Sequence, residues 1–220
     1  MNVDRRFRDR AEAGRLLADR LAEIEWHDPV VLALPRGGVP VAVPVAGRLG
    51  VPVEVFVARK VGMPGDEEFG IGAVAENLEE MVVGDAAAQL GFDPHKLGEL
   101  AAREREEVRR RVEVYRGGRP LPELAGRDVI LIDDGLATGV TMEAAALAVR
   151  AAGPRRLVIA VPVGAPSTRS RLAGVADAVV CLTAPPRLGA IGAWYDDFQQ
   201  VGDGEVLDLL AAAGSGAGPR

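Results

Sequence analysis

The chain has 220 residues, of which 48% are apolar and 26% charged, a balance that is typical of a folded globular protein and excludes a disordered one. Its formal net charge of −6 argues against a general nucleic-acid-binding protein, which would carry a basic surface. Cys181 is the only cysteine, so the sequence excludes an internal disulfide. We expect a single domain over residues 1–220.

The amino-terminal residues, MNVDRRFRDR, are charged and are not followed by the apolar segment of a secretion signal. No apolar run reaches the roughly 18 residues that would indicate a membrane span. The sequence therefore predicts a cytoplasmic protein without a membrane partner.

The predicted elements alternate between helices and short apolar strands, as in an α/β protein whose central, mostly parallel sheet is flanked by helices. The predicted helices are 7–24, 39–49, 94–115, 141–152 and 167–172, and the predicted strands are 30–34, 51–58, 129–132, 157–163 and 178–182. Pro44 is expected to kink or shorten the second helix. The tail over 211–220 is small and glycine-rich, which predicts fraying.

Residues 59–83 break this alternation. Glycine and proline punctuate the segment, which begins with basic residues and becomes acidic. A long glycine-bearing loop in a compact domain is usually a functional lid or a disordered segment. We predict a flexible lid loop here.

The most informative segment is VILIDDGLATGVT, residues 129–141. Its apolar strand ends in Asp133 and Asp134, and a loop of small residues leads into a helix. Such a loop can point successive backbone N–H groups at a phosphate, and a helix N-terminus reinforces the attraction. Two carboxylates suit a vicinal diol or a magnesium-bridged sugar, so the pattern predicts a site for a phosphorylated sugar. The structural alternative, an Asp-Gly turn before a Thr-capped helix, explains neither the second carboxylate nor the second threonine.

This segment resembles the phosphoribosyl pyrophosphate signature of the type I phosphoribosyltransferases. Two further blocks occur in that family's order: residues 34–40, LPRGGVP, resemble its pyrophosphate loop, and Arg59-Lys60 with the glycines that follow is similar to the start of its flexible catalytic loop. The matched core spans roughly residues 30–180. Residues 183–200, which include the run Tyr195-Asp196-Asp197-Phe198, are similar to an uncharacterised bacterial branch of the family. The resemblance implies the type I phosphoribosyltransferase fold, with a small hood over the sheet.

The resemblance also implies roles for individual residues. Asp133 and Asp134 would hold the ribose hydroxyls, directly or through Mg²⁺. Arg36, with the amides of Gly37 and Gly38, would face the pyrophosphate in a loop that often contains a cis peptide bond, and Arg59 and Lys60 would reach the pyrophosphate when the lid closes. The 5′-phosphate would be cradled by Gly135, Leu136, Ala137, Thr138, Gly139, Val140 and Thr141. Of these residues, Arg36, Lys60, Asp133 and Asp134 would carry the catalysis. For Arg36 the alternative is a surface arginine before a Gly-Gly turn, and for Arg59-Lys60 it is a solvated basic pair.

The implied reaction displaces pyrophosphate from C1 of the ribose through an oxocarbenium-like state. It needs cations and amides at the departing pyrophosphate, a fixed sugar and the exclusion of water, because hydrolysis competes. The partners are then phosphoribosyl pyrophosphate and a small nitrogen acceptor such as a nucleobase. The family also allows a homodimer, and nucleic acid is disfavoured.

The acceptor stays open. Ala137 stands where the 6-oxopurine members carry an aspartate that accepts the base proton, which disfavours hypoxanthine and guanine. Glu67, Glu68 and Glu76 are candidate general bases, each with a solvated loop acid as the alternative. The hood is expected from residues 183–200 and the N-terminal helix; there Trp194, Tyr195 and Phe198 could stack on a planar acceptor or pack a small core over the sheet.

Two other functions compete. Some relatives keep the fold as non-catalytic, ligand-sensing regulators. Against this function, the fewer than 30 residues before the first strand are too few for an added winged-helix domain, and the negative net charge disfavours nucleic-acid binding. A phosphohydrolase with Asp133 as nucleophile fits poorly, because such folds usually place an Asp-x-Asp pattern after their first strand.

Overall fold

The computed structural model describes residues 6–215. The helices are α1 (Arg10–Leu21), α2 (Gly38–Leu49), α3 (Asp85–Leu90), α4 (Pro94–Arg116), α5 (Val140–Ala151), α6 (Pro166–Leu172) and α7 (Asp203–Ser215), with a short 3₁₀ helix at Ile191–Trp194. The strands are β1 (Val30–Ala33), β2 (Val53–Val55), β3 (Ala58–Met63), β4 (Asp66–Ala75), β5 (Val82–Val83), β6 (Asp128–Ile132), β7 (Arg156–Val163) and β8 (Ala178–Thr183).

The central sheet has the strand order β2-β1-β6-β7-β8, and each neighbouring pair is parallel. Strand β6 lies in the middle and is buried along its whole length. Continuous apolar runs form such strands because helices cover both faces of the sheet. The predicted α/β class, with a central parallel sheet flanked by helices, is confirmed.

The single strand predicted over 51–58 is wrong, because the chain leaves the central sheet in the middle of that run. β2 pairs with β1, whereas β3 belongs to a second, antiparallel sheet of order β3-β4-β5. Between them the amide of Val57 donates to Glu76 Oε1 (2.7 Å) rather than to a neighbouring strand. A buried carboxylate therefore takes the place of a ladder partner.

Segment 59–83, predicted as a loop, instead contains this antiparallel sheet. The register shifts near Gly62, where the glycines make the ladder irregular. Val61, Ile71 and Val74 pack in the same core cluster as helix α4. Their spacing is obscured in the sequence by intervening glycines, so the strand pattern was missed.

At the C-terminus, α7 continues to Ser215, so residues 211–215, predicted to fray, are helical. Residues 216–220 lie outside the described part of the chain. Among the described residues, no helix has the length and apolar character needed to cross a membrane.

Helices α1 and α2 pack closely at Gly14, and α2 runs past Pro44 without ending. A Cβ atom at Gly14 would lie 2.4 Å from the carbonyl oxygen of Val41 and 3.1 Å from Pro44 Cγ. The backbone of α2 cannot yield as a flexible side chain would, so this contact requires glycine.

We expect Gly14→Ala to destabilise the protein by about 1–3 kcal/mol, because the added methyl group would force the two helices apart. Gly47→Ala is the matched control: it lies in α2 with no heavy atom within 4 Å of its Cβ position, and should stabilise by about 0.5–1 kcal/mol. Urea unfolding of both variants measures the difference. Equal free energies of unfolding in the two variants would contradict the close packing.

Candidate active site

The acid pair and the predicted pyrophosphate loop lie together at one edge of the central sheet. Asp133 and Asp134 follow β6, and residues 34–38 follow its parallel neighbour β1. The amide of Leu34 donates to the Ile132 carbonyl (2.8 Å), which joins the two strand ends. This is the carboxyl edge, where open α/β sheets bind their ligands.

Gly37 and Gly38 lie directly against the acid pair. A Cβ atom at Gly37 would be 2.1 Å from Asp134 Oδ2, and one at Gly38 would be 2.7 Å from the Ile132 carbonyl oxygen. The Pro35–Arg36 peptide bond is cis, as the resemblance implied. Glycine is therefore needed at position 38, where the near atoms are backbone, whereas a side chain at position 37 would displace the Asp134 carboxylate.

Arg10, the first residue of α1, holds Asp134 in place. Its Nε lies 2.8 Å from Asp134 Oδ2, and both side chains are mostly buried. Its Nη1 donates to the Gln199 carbonyl (2.9 Å), and its guanidinium lies 3.8 Å from the centre of the Phe198 ring. The sequence did not single out Arg10, because it lies 124 positions from its partner among several other arginines.

Burial makes ionisation of the acid pair costly. It raises the pKa of Asp133 well above its ordinary value, and the charge of Asp134 raises it further. Burial also raises the pKa of Asp134, although Arg10 opposes that shift. Asp133 Oδ1 accepts a hydrogen bond from the Asp134 amide (2.8 Å). The ionised form of such a pair is stabilised most by a ligand that supplies positive charge or hydroxyl donors.

The loop after the acid pair is held by a backbone hydrogen bond and by buried side chains. The Leu136 amide donates to the Val163 carbonyl (2.9 Å) at the end of β7. The side chains of Leu136 and Val140 are buried, so these residues can offer a ligand only backbone groups. At Gly135 a Cβ atom would lie 2.6 Å from Ile191, so the hood packs directly on the loop.

Helix α6 orients the middle of the loop. Thr168 Oγ1 donates to the Ala137 carbonyl (2.6 Å), and Arg171 Nη2 donates to the Thr138 carbonyl (3.1 Å). The C=O and N–H groups of a trans peptide point to opposite sides. The amides of Thr138 and Gly139 therefore point away from α6, which aligns two successive donors ahead of helix α5.

The antiparallel sheet lies beside the predicted phosphate loop, residues 135–141. Gly70 and Gly84 form one wall of a cavity of about 350 Å³, and Ala137 and Thr138 line another. Thr141 follows in the first turn of α5 and is partly exposed. The segment predicted as a lid thus borders the predicted phosphate loop.

The two basic residues at the start of this sheet point in different directions. Arg59 Nη2 lies 2.8 Å from Glu104 Oε2 on α4, and the odd-numbered Val61 packs on the same side. The even-numbered Ala58 packs in the cluster that contains α5. The side chain of Lys60 passes Gly70, where a Cβ atom would lie 3.0 Å from Lys60 Cδ, and Gly70 borders the cavity lined by Ala137 and Thr138.

Arg36 is turned toward the C-terminal helix. Its Nη1 lies 3.6 Å from Asp203 Oδ1, at the start of α7. Neither Arg36 nor Arg59 has its charged group paired with the acid pair in this arrangement, and their role at a pyrophosphate stays a prediction.

The hood aromatic residues pack mainly on one another. Tyr195 is 2% exposed, contacts Phe7 and Phe198, and donates its hydroxyl to the Asp134 carbonyl (2.6 Å). One face of Phe198 is covered by Arg10. Trp194 Nε1 donates to the Leu188 carbonyl (2.8 Å). These contacts match the small-core alternative, and stacking on an acceptor stays a prediction.

The candidate bases in the antiparallel sheet differ in what can be said of them. Glu76 is buried and paired with Arg116 on α4, with Oε2 2.5 Å from Nη2, so it does not face the acid pair as a free base. The side chains of Glu67 and Glu68 are not among those that the structure describes.

A magnesium ion fits the acid pair only with help from a ligand. Asp133 and Asp134 supply the carboxylate oxygens that Mg²⁺ prefers, but Asp134 Oδ2 already accepts from Arg10. Among the side chains that the structure describes, no group of three or more His, Cys, Asp or Glu could hold a metal ion. The ion would take its other ligands from water and from a bound phosphosugar.

The chain is similar to known proteins in sequence and in fold. Two Mycobacterium tuberculosis sequences, from strains CDC 1551 and H37Rv and provisionally named phosphoribosyl transferases, are 42% identical over 207 residues, which are 94% of this chain and 47% of theirs. The chain thus spans about half the length of these curated relatives.

A crystal structure of a protein from Thermus thermophilus is 49% identical and superposes with a TM-score of 0.78, covering 94% of this chain and 98% of that one. A protein of Aquifex aeolicus, 16% identical with a TM-score of 0.50 over 92% and 85% of the two chains, shares the fold alone. The model of the phosphoribosyl transferase domain family matches residues 8–187. The chain belongs to the phosphoribosyl transferase domain family.

Proposed function

We propose that the protein transfers ribose 5-phosphate from phosphoribosyl pyrophosphate to a nucleobase-like or other small nitrogen acceptor. The observation that carries this proposal is the contact between the two predicted loops: Gly37 and Gly38 lie against Asp134 and the end of β6. A sugar held by the acid pair would therefore have its C1 substituent next to the amides of the first loop.

The reaction forms a bond between the acceptor nitrogen and C1 as the bond between C1 and the pyrophosphate oxygen breaks. Asp133 and Asp134 would accept hydrogen bonds from the ribose hydroxyls and orient the sugar. The amides of Thr138 and Gly139, with the start of α5, would bind the 5′-phosphate. The amides of Gly37 and Gly38 and the cations Arg36, Arg59 and Lys60 would stabilise the departing pyrophosphate.

Asp133 and Asp134 would hold a magnesium ion near the ribose, and the ion would supply positive charge that neutralises the pyrophosphate. The antiparallel sheet, which borders the signature loop, would close over the sugar and exclude water. The acceptor nitrogen also loses a proton, and Ala137 cannot accept it. A small residue at this position favours acceptors other than the 6-oxopurines.

A cytoplasmic location and a homodimer are further parts of the proposal. The ligand-sensing alternative shares the donor site and differs only in the absence of turnover. The two functions are therefore separated by measuring binding and catalysis in the same preparation.

The first measurement is thermal unfolding with phosphoribosyl pyrophosphate and Mg²⁺, because a ligand that binds only the native state raises Tm. The second is pyrophosphate release with a panel of nitrogen acceptors, followed by mass spectrometry of the products. We expect both a higher Tm and release above background hydrolysis with at least one acceptor. A higher Tm without release would favour the sensor, and no change in Tm would contradict the donor site itself.

A further inference from the structure

Arg59 is held by a carboxylate that lies outside the proposed site. Its Nε and Nη2 lie 2.9 and 2.8 Å from the same oxygen of Glu104, on helix α4. The side chain of Arg59 is 32% exposed and that of Glu104 is 26% exposed. Solvent, and any dissolved anion, can therefore reach this pair.

Arg36 is held in a comparable way by Asp203. Asp203 Oδ1 lies 3.6 Å from Arg36 Nη1 and accepts a hydrogen bond from the Tyr115 hydroxyl (2.6 Å). Arg110 Nη2 lies 3.4 Å from its other oxygen. The hydrogen bond from Tyr115 lowers the pKa of Asp203, which keeps the carboxylate ionised at neutral pH.

Helix α4 contributes residues to both ion pairs or to their surroundings. It carries Glu104 itself, and it positions Asp203 through Tyr115 and Arg110. A cavity of about 470 Å³ opens beside the first pair, lined by Arg59, Glu104 and the further cation Arg103. An anion could enter there without unfolding any element of the fold.

We propose that Glu104 and Asp203 are positioning residues that serve as internal counterions, holding Arg59 and Arg36 until pyrophosphate takes their place. This inference rests on the proposed function, because it assumes that the two arginines bind the pyrophosphate group. Binding then exchanges one set of ion pairs for another, and the carboxylates recover the arginines when pyrophosphate leaves.

The exchange predicts how each carboxylate affects the affinity of the protein for pyrophosphate. Each carboxylate competes with pyrophosphate, so removing its charge should strengthen the binding of pyrophosphate. A partly exposed ion pair contributes up to about 1 kcal/mol, which is roughly a fivefold change in Kd. We expect the larger effect at Glu104, whose pair is shorter.

The test is calorimetric titration of the full chain with magnesium pyrophosphate. Glu104→Gln and Asp203→Asn keep the shape of each side chain and remove its charge. Each should lower the Kd by roughly twofold to fivefold, and the double variant should combine the two effects because the pairs are separate. In an Arg59→Gln background, Glu104→Gln should no longer tighten binding.

Two matched controls separate this exchange from a general change in surface charge. Glu106→Gln removes an exposed carboxylate from α4, and Asp208→Asn removes one from α7. Both should leave the Kd within about twofold of the wild-type value. Equal tightening in variants and controls, or weaker binding in Glu104→Gln and Asp203→Asn, would overturn the inference. If the wild type binds magnesium pyrophosphate and the two variants match it, only the counterion role fails; if the wild type binds neither pyrophosphate nor phosphoribosyl pyrophosphate, the proposed function fails as well.

Discussion

Asp133→Asn should lower kcat/KM for phosphoribosyl transfer by about 10²–10³-fold while raising Tm. The loss of activity follows if the charged acid pair orients the ribose, since preorganised polar groups at a reacting centre have effects of this size. The gain in stability follows from burial, because two adjacent carboxylates in a poorly solvated position oppose each other's ionisation. Opposite changes in activity and stability are expected where function requires an unfavourable arrangement.

The pH dependence of stability gives this prediction a second test. Burial and the charge of Asp134 raise the pKa of Asp133 above the ordinary value of 3.8, so the folded protein binds that proton more tightly than the unfolded chain does. The contribution of the Asp133 carboxyl to the free energy of unfolding is greatest below its ordinary pKa. That contribution decreases as the pH rises through the raised pKa of the folded protein. Asparagine has no proton to lose, so the variant should lack this decrease.

Steady-state kinetics and thermal unfolding between pH 4 and pH 8 measure both effects. Asp19→Asn, at an exposed position on α1, is the control and should change neither quantity. Wild-type activity in Asp133→Asn would contradict the assignment of the ribose site. A lower Tm in that variant would contradict the argument from burial.

Glu76→Gln should destabilise the protein by about 3–5 kcal/mol and lower Tm by roughly 6–20 °C. Glu76 and Arg116 are only 7% and 6% exposed and form two close contacts, of 3.0 and 2.5 Å. Arg116 Nη1 also donates to the Val55 carbonyl (3.0 Å), so the pair joins β2, α4 and the end of β4. The variant would leave a buried guanidinium without a compensating charge.

Chemical denaturation of two comparison variants shows whether burial is the cause. Glu23→Gln removes an ion pair with Arg20 in which both side chains are largely exposed, and it should cost less than about 1 kcal/mol. Adding Arg116→Leu to Glu76→Gln should reduce the loss, because no buried charge is then left unpaired and the glutamine oxygen can still accept from the Val57 amide. Similar losses in Glu76→Gln and Glu23→Gln would contradict this account.

Features that depend on neighbouring residues could be predicted from the sequence alone. Apolar runs ending in Asp133-Asp134 and in Pro35-Arg36-Gly37-Gly38 predicted both loops and the parallel strands that precede them. These predictions succeeded because strand formation, strand ends and glycine-dependent turns are determined by adjacent side chains. The same local patterns carried the family resemblance.

Which charged side chains form pairs depends on how the elements pack in the fold. Arg10 reaches Asp134, Glu104 reaches Arg59 and Asp203 reaches Arg36, and no local pattern distinguishes these residues from the many other charged side chains. The antiparallel sheet over residues 58–83 was likewise hidden, because its glycines interrupt the alternation by which a strand is recognised. Contacts between residues far apart in sequence are set by how the elements pack, and that packing is a property of the whole chain.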